Sequence, residues 1–232
     1  VNGLMQIPAE ERPHLGLVPV GSGNDFAFAL GVPRDNAQDA VRSALTGEPR
    51  TVDIGRITDG TGRFEYFTNT CGIGFDAAIN IRTRKITWLH GFAMYLSATL
   101  QSIAMNFEGP LMKVTYDGGG FELPTMMVIV GNGPREGGGF MIAPDARVDD
   151  GLFDFVYVTQ VSRPRMLQLM TKFMNGTHVR EPDVHLAQTT KLHLESARAV
   201  PIHLDGELFA PYEANVHVVE VEMLPGALRV RV

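Results

Sequence analysis

The sequence predicts an α/β plus all-β fold: an α/β unit over residues 1–50, then a mostly antiparallel all-β module over 51–224 with one or two helices. Residues 225–232 read as a strand that returns to the first unit. Three observations predict this. An apolar run ends in Gly21-Ser22-Gly23 and is followed at once by a helical pattern, the grammar of a β-α unit. After Pro49 the pattern changes to short β-rich segments separated by Gly, Asp and Asn turns. The chain has 232 residues, 44% of them hydrophobic and 20% charged, enough for a sizeable core and unlike a disordered or fibrous protein.

The elements follow in order. Leu15, Leu17, Val18 and Val20 form the first strand, and Phe26 to Leu30 starts a helix with Asn24 or Asp25 as its N-cap. A second helix is expected from Asn36 to Leu45, with Ala37, Ala40, Val41, Ala44 and Leu45 on one face and Gly47 as its stop. This alternation implies a parallel pairing in the first unit. Strands are then expected at Thr51 to Ile57, Phe64 to Thr70, Lys113 to Tyr116, Thr125 to Val130, Leu152 to Val158, Lys191 to Glu195 and Val216 to Val221. Leu89, Phe92, Ala93, Leu96, Leu100 and Ile103 recur at helical spacing and predict a helix with a core-facing stripe, and Arg163 to Phe173 a shorter one. Pro225-Gly226-Ala227 reads as a turn before the last short strand.

Composition excludes several function classes. With 20 Lys+Arg against 26 Asp+Glu the net charge is −6, and no nucleic-acid partner is expected, because phosphate-backbone binding rests on clustered cations. A single cysteine, Cys71, rules out an internal disulfide and fits a reducing cytoplasm. It reads as a small buried residue. Trp88 to Met105 is too interrupted by polar residues to cross a bilayer. No signal peptide is visible, and the opening on Val1 predicts a processed or truncated chain. The histidines never form a close helical pair and read as structural or exposed, and Ser22 lacks the second glycine of a nucleophile elbow.

Four segments carry candidate chemistry. Gly21 to Asp25 delivers the chain to a helix start, where backbone N–H groups suit a phosphate, and Asp25 beside it suits Mg²⁺; a plain tight turn accounts for the same residues equally well. Gly131 to Ala146 is a long permissive loop after an apolar strand, fit to line a cleft or to be a simple connection. Asp149-Asp150-Gly151 places two carboxylates on one turn, an arrangement for a hard cation, although an Asp-Gly turn explains it alone. Asp205-Gly206-Glu207 is by default a hairpin turn, and the alternative is a carboxylate base for phosphoryl transfer.

Leu17-Val18-Pro19-Val20-Gly21-Ser22-Gly23-Asn24-Asp25-Phe26-Ala27 resembles the phosphate-side motif of the diacylglycerol kinase catalytic family, which includes bacterial lipid kinases and sphingosine kinases. Val52-Asp53-Ile54-Gly55, Phe67-Thr68-Asn69, Gly72 to Ala77, Gly137 to Ala146, Asp149 to Asp154 and Asp205-Gly206-Glu207 resemble further family blocks in family order. The resemblance implies a two-domain, ATP- and Mg²⁺-dependent kinase, with a partial α/β nucleotide-binding domain over residues 1–50 and a C-terminal antiparallel β-sandwich over 51–224, active in the cleft between them, that phosphorylates a hydroxyl of diacylglycerol or a similar lipid. By position, Gly21, Ser22, Gly23, Asn24 and Asp25 would contact the nucleotide phosphates or their Mg²⁺. Glu207 would be the base, with Asp25 also in the catalytic set, and Asp149, Asp150 and the Leu152 carbonyl would form a Mg²⁺ region.

Val1-Asn2-Gly3-Leu4 resembles the end of the helix after the family's Gly-Gly-Asp-Gly-Thr nucleotide loop, and that loop lies outside this sequence. Two alternatives stay open: an inactive lipid- or nucleotide-binding fragment, and a kinase of the NAD kinase type. A lipid substrate implies a cytoplasmic protein in peripheral membrane contact, for which Arg82, Arg84, Lys85 and the edge of the Trp88 helix are candidates beside the plainer reading of a solvated helix start. A homodimer is compatible with the sequence.

Overall fold

The computed structural model describes residues 1–34, 36–105 and 108–232. The elements run β1 (Leu15–Gly16), α1 (Asp25–Leu30), α2 (Ala37–Thr46), β2 (Pro49–Asp59), β3 (Phe64–Phe67), β4 (Thr70–Gly74), α3 (Phe75–Thr83) and α4 (Gly91–Ala104). They continue β5 (Leu111–Tyr116), β6 (Gly119–Gly131), β7 (Arg135–Glu136), β8 (Phe140–Met141), β9 (Phe153–Thr159), α5 (Arg163–Met174), β10 (Val184–Thr189), β11 (Lys191–Ser196), β12 (Ile202–Leu204), β13 (Glu207–Ala210) and β14 (Val218–Arg231).

The long strand β6 builds the sandwich. Its first half pairs with β5 and its second half with β4 and β9, and the register shifts between Thr125 and Met127. Pro124, which has no amide to donate, stands at the crossing point. One layer therefore carries β5, β11, β14, β2 and β3, and the other β10, β9, β4, β12 and β13. Side chains alternate across the second layer. Val128, Val130, Phe153 and Phe155 face the sandwich interior with Phe67, Leu192 and Val221, whereas Ile129, Val156 and Val158 face α3, α4 and α5.

The first unit packs on the same sheet. Among the described residues the parallel pairing reduces to β1 against β14, with Leu15 opposite Val230. Leu17 to Val20 is not strand, since Pro19 interrupts the ladder there, and Val20 is exposed. Ala27, Leu30 and Val32 close over Val52, Ile54, Val148, Leu228 and Val230. The segment Pro225-Gly226-Ala227 is a bulge within one continuous strand rather than a turn: Leu224 pairs with Ile54 and Leu228 with Val52. Two amphipathic readings shift. In α2 only Ala40 is buried and Leu45 is exposed, and in α4 the buried face is Tyr95, Ala98, Thr99, Ser102 and Ile103, with Leu100 outside. The strand expected from Phe64 to Thr70 is two strands, because the Asp205 carboxylate takes the amides of Thr68, Asn69 and Thr70.

Candidate active site

The Gly21–Asp25 loop is closed by its own asparagine. Asn24 sits in the left-handed region at φ 53°, accepts from the Gly21 amide at 2.9 Å and donates to the Gly21 carbonyl at 2.8 Å. It is the N-cap residue of α1 by position, but its side chain caps nothing. Asp25 accepts from Arg135 Nε at 2.7 Å and from the Gly138 amide at 3.2 Å, while Arg135 Nη2 donates to the Gly23 carbonyl at 2.9 Å. Arg135 also lies over the Phe28 ring at 4.0 Å. Burial raises the Asp25 carboxyl above its usual range, and Arg135 opposes that shift. Asp25 is thus a strut joining the Gly21 loop to the Gly137–Gly139 loop. A Cβ at Gly23 would stand 2.6 Å from Asp25 Oδ2, so the close approach requires glycine.

These residues line a cleft of about 430 Å³, the size range of small-ligand sites. Its walls are Gly21 to Ala27, Thr68 to Thr70, Asn80, Thr83, Tyr95, Glu136, Gly137, Asp205 and Gly206. The β12–β13 hairpin turns through Asp205 and Gly206, both at positive φ, as a two-residue loop of the Asp-Gly kind. It is held from three sides. The Asp205 carboxylate accepts from the amides of Thr68, Asn69 and Thr70 at 2.7–2.9 Å and from the Thr68 hydroxyl. Asn80 Nδ2 donates to the Gly206 carbonyl at 2.7 Å, and the Gly206 amide donates to His203 Nδ1 at 3.3 Å. Glu207 follows and is not among the cleft residues: its side chain is 88% exposed and pairs with Arg84 Nη2 at 2.9 Å.

Asp149, Asp150 and Leu152 are not among the cleft residues. Asp149 pairs with Arg50 at 2.8 Å and Arg147 at 3.7 Å, and Asp150 Oδ1 accepts from the Leu152 amide. Beside them the buried Asp53 carboxylate takes the amides of Gly151 and Gly226, each at 2.7 Å, and so fastens this loop to the β14 bulge. A hard cation needs several free oxygens converging on one point. As arranged, these residues fit a guanidinium and not a Mg²⁺ cage.

A group that the sequence did not bring together sits deeper. His203 Nε2 lies 2.6 Å from Asp76 Oδ2 and 2.9 Å from Glu136 Oε1, and Tyr95 donates to Asp76 Oδ1 at 2.9 Å. All four are buried. Asp76, Glu136 and His203 converge closely enough to hold a metal ion, but the Gly206 amide faces Nδ1, which places the imidazole proton on Nε2 between the carboxylates and leaves no lone pair for a metal there. Burial, with Asp76 adding to it, lifts the Glu136 carboxyl to about 7. His203 falls on the structural side of the reading of the histidines, buried at the centre of this group. Cys71 is buried as expected, and burial pushes its thiol far up.

Behind this group, Asp76 and Tyr95 form the end of an apolar chamber between α3, α4, α5 and the sheet, lined by Ile79, Ile103, Met126, Phe140, Met166, Phe173 and their neighbours. Tyr95 belongs to both spaces, so chamber and cleft share one wall.

Comparison with known proteins gives the family of the chain. Residues 1–57 match the family model of the diacylglycerol kinase catalytic domain, and residues 69–232 that of the YegS C-terminal NAD kinase beta sandwich-like domain. A diacylglycerol kinase of Mycobacterium tuberculosis (strain CDC 1551 / Oshkosh) is 30% identical over 230 residues, covering 99% of this chain and 72% of the relative. A YegS-like lipid kinase of Chromohalobacter salexigens is 33% identical over 232 residues, covering 98% and 70%. A crystal structure of a Bacillus anthracis strain Sterne protein described as a diacylglycerol kinase superimposes with a TM-score of 0.76 at 27% identity, covering 99% of this chain and 71% of that one. The chain belongs to the diacylglycerol kinase family of lipid kinases.

Proposed function

We propose that this chain binds ATP in the polar cleft and a lipid in the apolar chamber, and transfers the γ-phosphoryl group to a free hydroxyl of a diacylglycerol-like lipid. The observation that carries the proposal is the shared wall: a chain held in the chamber delivers its headgroup to the cleft beside the Gly21–Asn24 loop and the Asp205–Gly206 turn. The loop, braced by Asp25 and Arg135, presents backbone to the phosphates. Glu207 leaves Arg84, accepts the proton of the lipid hydroxyl, and the hydroxyl oxygen bonds to the γ-phosphorus as its bond to the ADP oxygen breaks. Mg²⁺ would supply neutralisation of phosphate charge when it enters with ATP. Asp149, Asp150 and Leu152 serve in this reading as the seam that holds the loop to β14.

The chamber has only about 60 Å³ of room, roughly the space of two waters, so a lipid chain enters as α4 and α5 separate. Met126, Met127, Met166 and Met170 on its lining are adaptable side chains suited to that repacking.

The test is transfer of labelled γ-phosphate from Mg-ATP to a total lipid extract and, separately, to NAD. Labelled lipid, with Glu207→Gln reducing turnover by about 10²-fold or more at unchanged folding, is the expected result. Near-normal turnover in that variant removes the base, and labelling of NAD alone overturns the lipid substrate.

A further inference from the structure

The β12–β13 hairpin is held to α3 by two arms. Asn80 reaches it directly, donating to the Gly206 carbonyl at 2.7 Å. Asp76, one helical turn earlier on α3, reaches it through a second side chain: its Oδ2 lies 2.6 Å from His203 Nε2, and His203 Nδ1 accepts from the Gly206 amide at 3.3 Å. His203 is fully buried and lines neither the cleft nor the chamber, so it has no contact with either substrate.

The backbone builds this bridge. The register between β12 and β13 shifts between Ile202 and His203, and an irregularity of that kind re-aims a side chain. His203 stands opposite Gly72 of β4, where a Cβ would come within 1.9 Å of Asp76 Oδ2 and 2.2 Å of His203 Nε2. Carboxylate and imidazole thus meet in the space that a side chain at position 72 would fill. Burial works against a charged ring, while the Glu136 and Asp76 carboxylates favour one. A second proton would stand on Nδ1 facing the Gly206 N–H, donor against donor, so the contact needs the neutral ring with its proton on Nε2.

The consequence falls on Gly206. At φ 85° it holds a conformation open chiefly to glycine, the residue that rotates most readily when nothing fixes it. Its amide and its carbonyl belong to the two peptide planes on either side of its Cα. His203 holds the first plane and Asn80 the second, and the second leads straight into Glu207. A misplacement of about 1 Å in a reacting group is enough to cost a large part of the rate.

We propose that His203 is a positioning residue of the phosphoryl transfer: oriented by Asp76 through Nε2, it fixes the Gly206 amide through Nδ1 and so sets the direction in which the turn delivers Glu207. The inference rests on the lipid-kinase reading above, with Glu207 as the base.

Two amide substitutions divide the contacts of the ring. Asparagine places an oxygen where Nδ1 stands but does not reach the carboxylates. Glutamine carries an NH₂ as far as Nε2 and offers nothing to Gly206. The test is transfer of labelled γ-phosphate from Mg-ATP to dioctanoylglycerol in mixed micelles, with urea unfolding and, by NMR on glycine-labelled protein, exchange of the Gly206 amide. His203→Gln is expected to lower kcat about tenfold, to change KM for ATP by less than about twofold, and to quicken that exchange. His203→Asn is expected to unfold at lower urea, because Asp76 and Glu136 lose their partner, and yet to recover kcat to within about threefold of the unaltered protein with slow exchange retained. A purely structural role would make activity follow stability. The reverse order of activities, full kcat in the glutamine variant, or losses that track the unfolding midpoint in both variants overturn the positioning role and leave the lipid reading standing. Where the asparagine variant does not fold, the glutamine variant decides: lowered kcat with quicker Gly206 exchange supports the role, and normal kcat overturns it. No transfer by the unaltered protein overturns the lipid reading and this role with it.

Discussion

Glu136 shows how one side chain couples the wall to pH. Burial is the main cause that lifts its carboxyl from 4.5 to about 7, the Asp76 carboxylate adds to it, and His203 works against it. The folded protein therefore retains a proton that the unfolded chain has already released between about pH 4.5 and 7. Stability falls as pH rises through that window. The Glu136 shift corresponds to roughly 3 kcal/mol. Glu136→Gln should flatten the fall in melting temperature between pH 5 and 7.5, and curves that stay parallel to those of the unaltered protein would refute the assignment. Asp76 and Tyr95 remain in place in both proteins, and because Glu136 faces His203 at 2.9 Å the comparison reads that pair together.

At the scale of elements, the hairpin that carries Glu207 is the part of the site most exposed to a single change. Asp205 keeps its left-handed conformation while its two oxygens take three amides and a hydroxyl from the β3–β4 connection. Asparagine tolerates the same backbone but replaces one acceptor oxygen with an NH₂ facing donors. Asp205→Asn should cost about 1–3 kcal/mol in urea unfolding and lower turnover more than it raises KM for ATP; an unchanged unfolding midpoint would sink this account. This turn was legible in the sequence, because Asp-Gly between two apolar runs is the dipeptide a two-residue hairpin needs. The strands with clear alternation, the α5 helix and the helix start after Gly21 were legible for similarly local reasons, whereas the strand expected to run into Gly21 stops at Gly16. The wall was not. Asp76, Glu136 and His203 come from a helix, a two-residue strand and a β-strand of three residues, far apart in sequence, and no local spacing records that the second sandwich layer brings them together. Nor could spacing show that Asp25 and Asp149 would each be taken by an arginine, since Arg135 and Arg50 arrive from other segments. The α4 stripe was misjudged by part of a turn because both of its faces carry apolar residues.

At the scale of the whole molecule, the lipid reading demands that an acidic protein meet a membrane. The net charge is −6, and no helix among the described residues is long and apolar enough to cross a bilayer. On the proposed lipid reading, the encounter we expect is peripheral and local. The apolar side chains around α4 are suited to it: Trp88 is 74% exposed, Met105 65% and Leu100 43%, and they border the α3 end, where Arg82 contacts Met105 and Lys85 is exposed. The same helices frame the chamber, so a membrane seated there would deliver lipid at the point where α4 and α5 must part. Trp88 is the single tryptophan of the chain, which makes its fluorescence a direct report on this surface. Vesicles containing anionic lipid should shift its emission to the blue. Each cation near such a surface contributes about 1 kcal/mol, so reversing both Arg82 and Lys85 to Glu should weaken binding by about tenfold or more, and added salt should do the same in the unaltered protein. Arg84 is left out of that variant because it holds Glu207, and its loss would confound membrane contact with catalysis. An emission spectrum that ignores vesicles, or vesicle binding that survives both reversals, would move the membrane-facing surface away from α4 and require another route for lipid into the chamber.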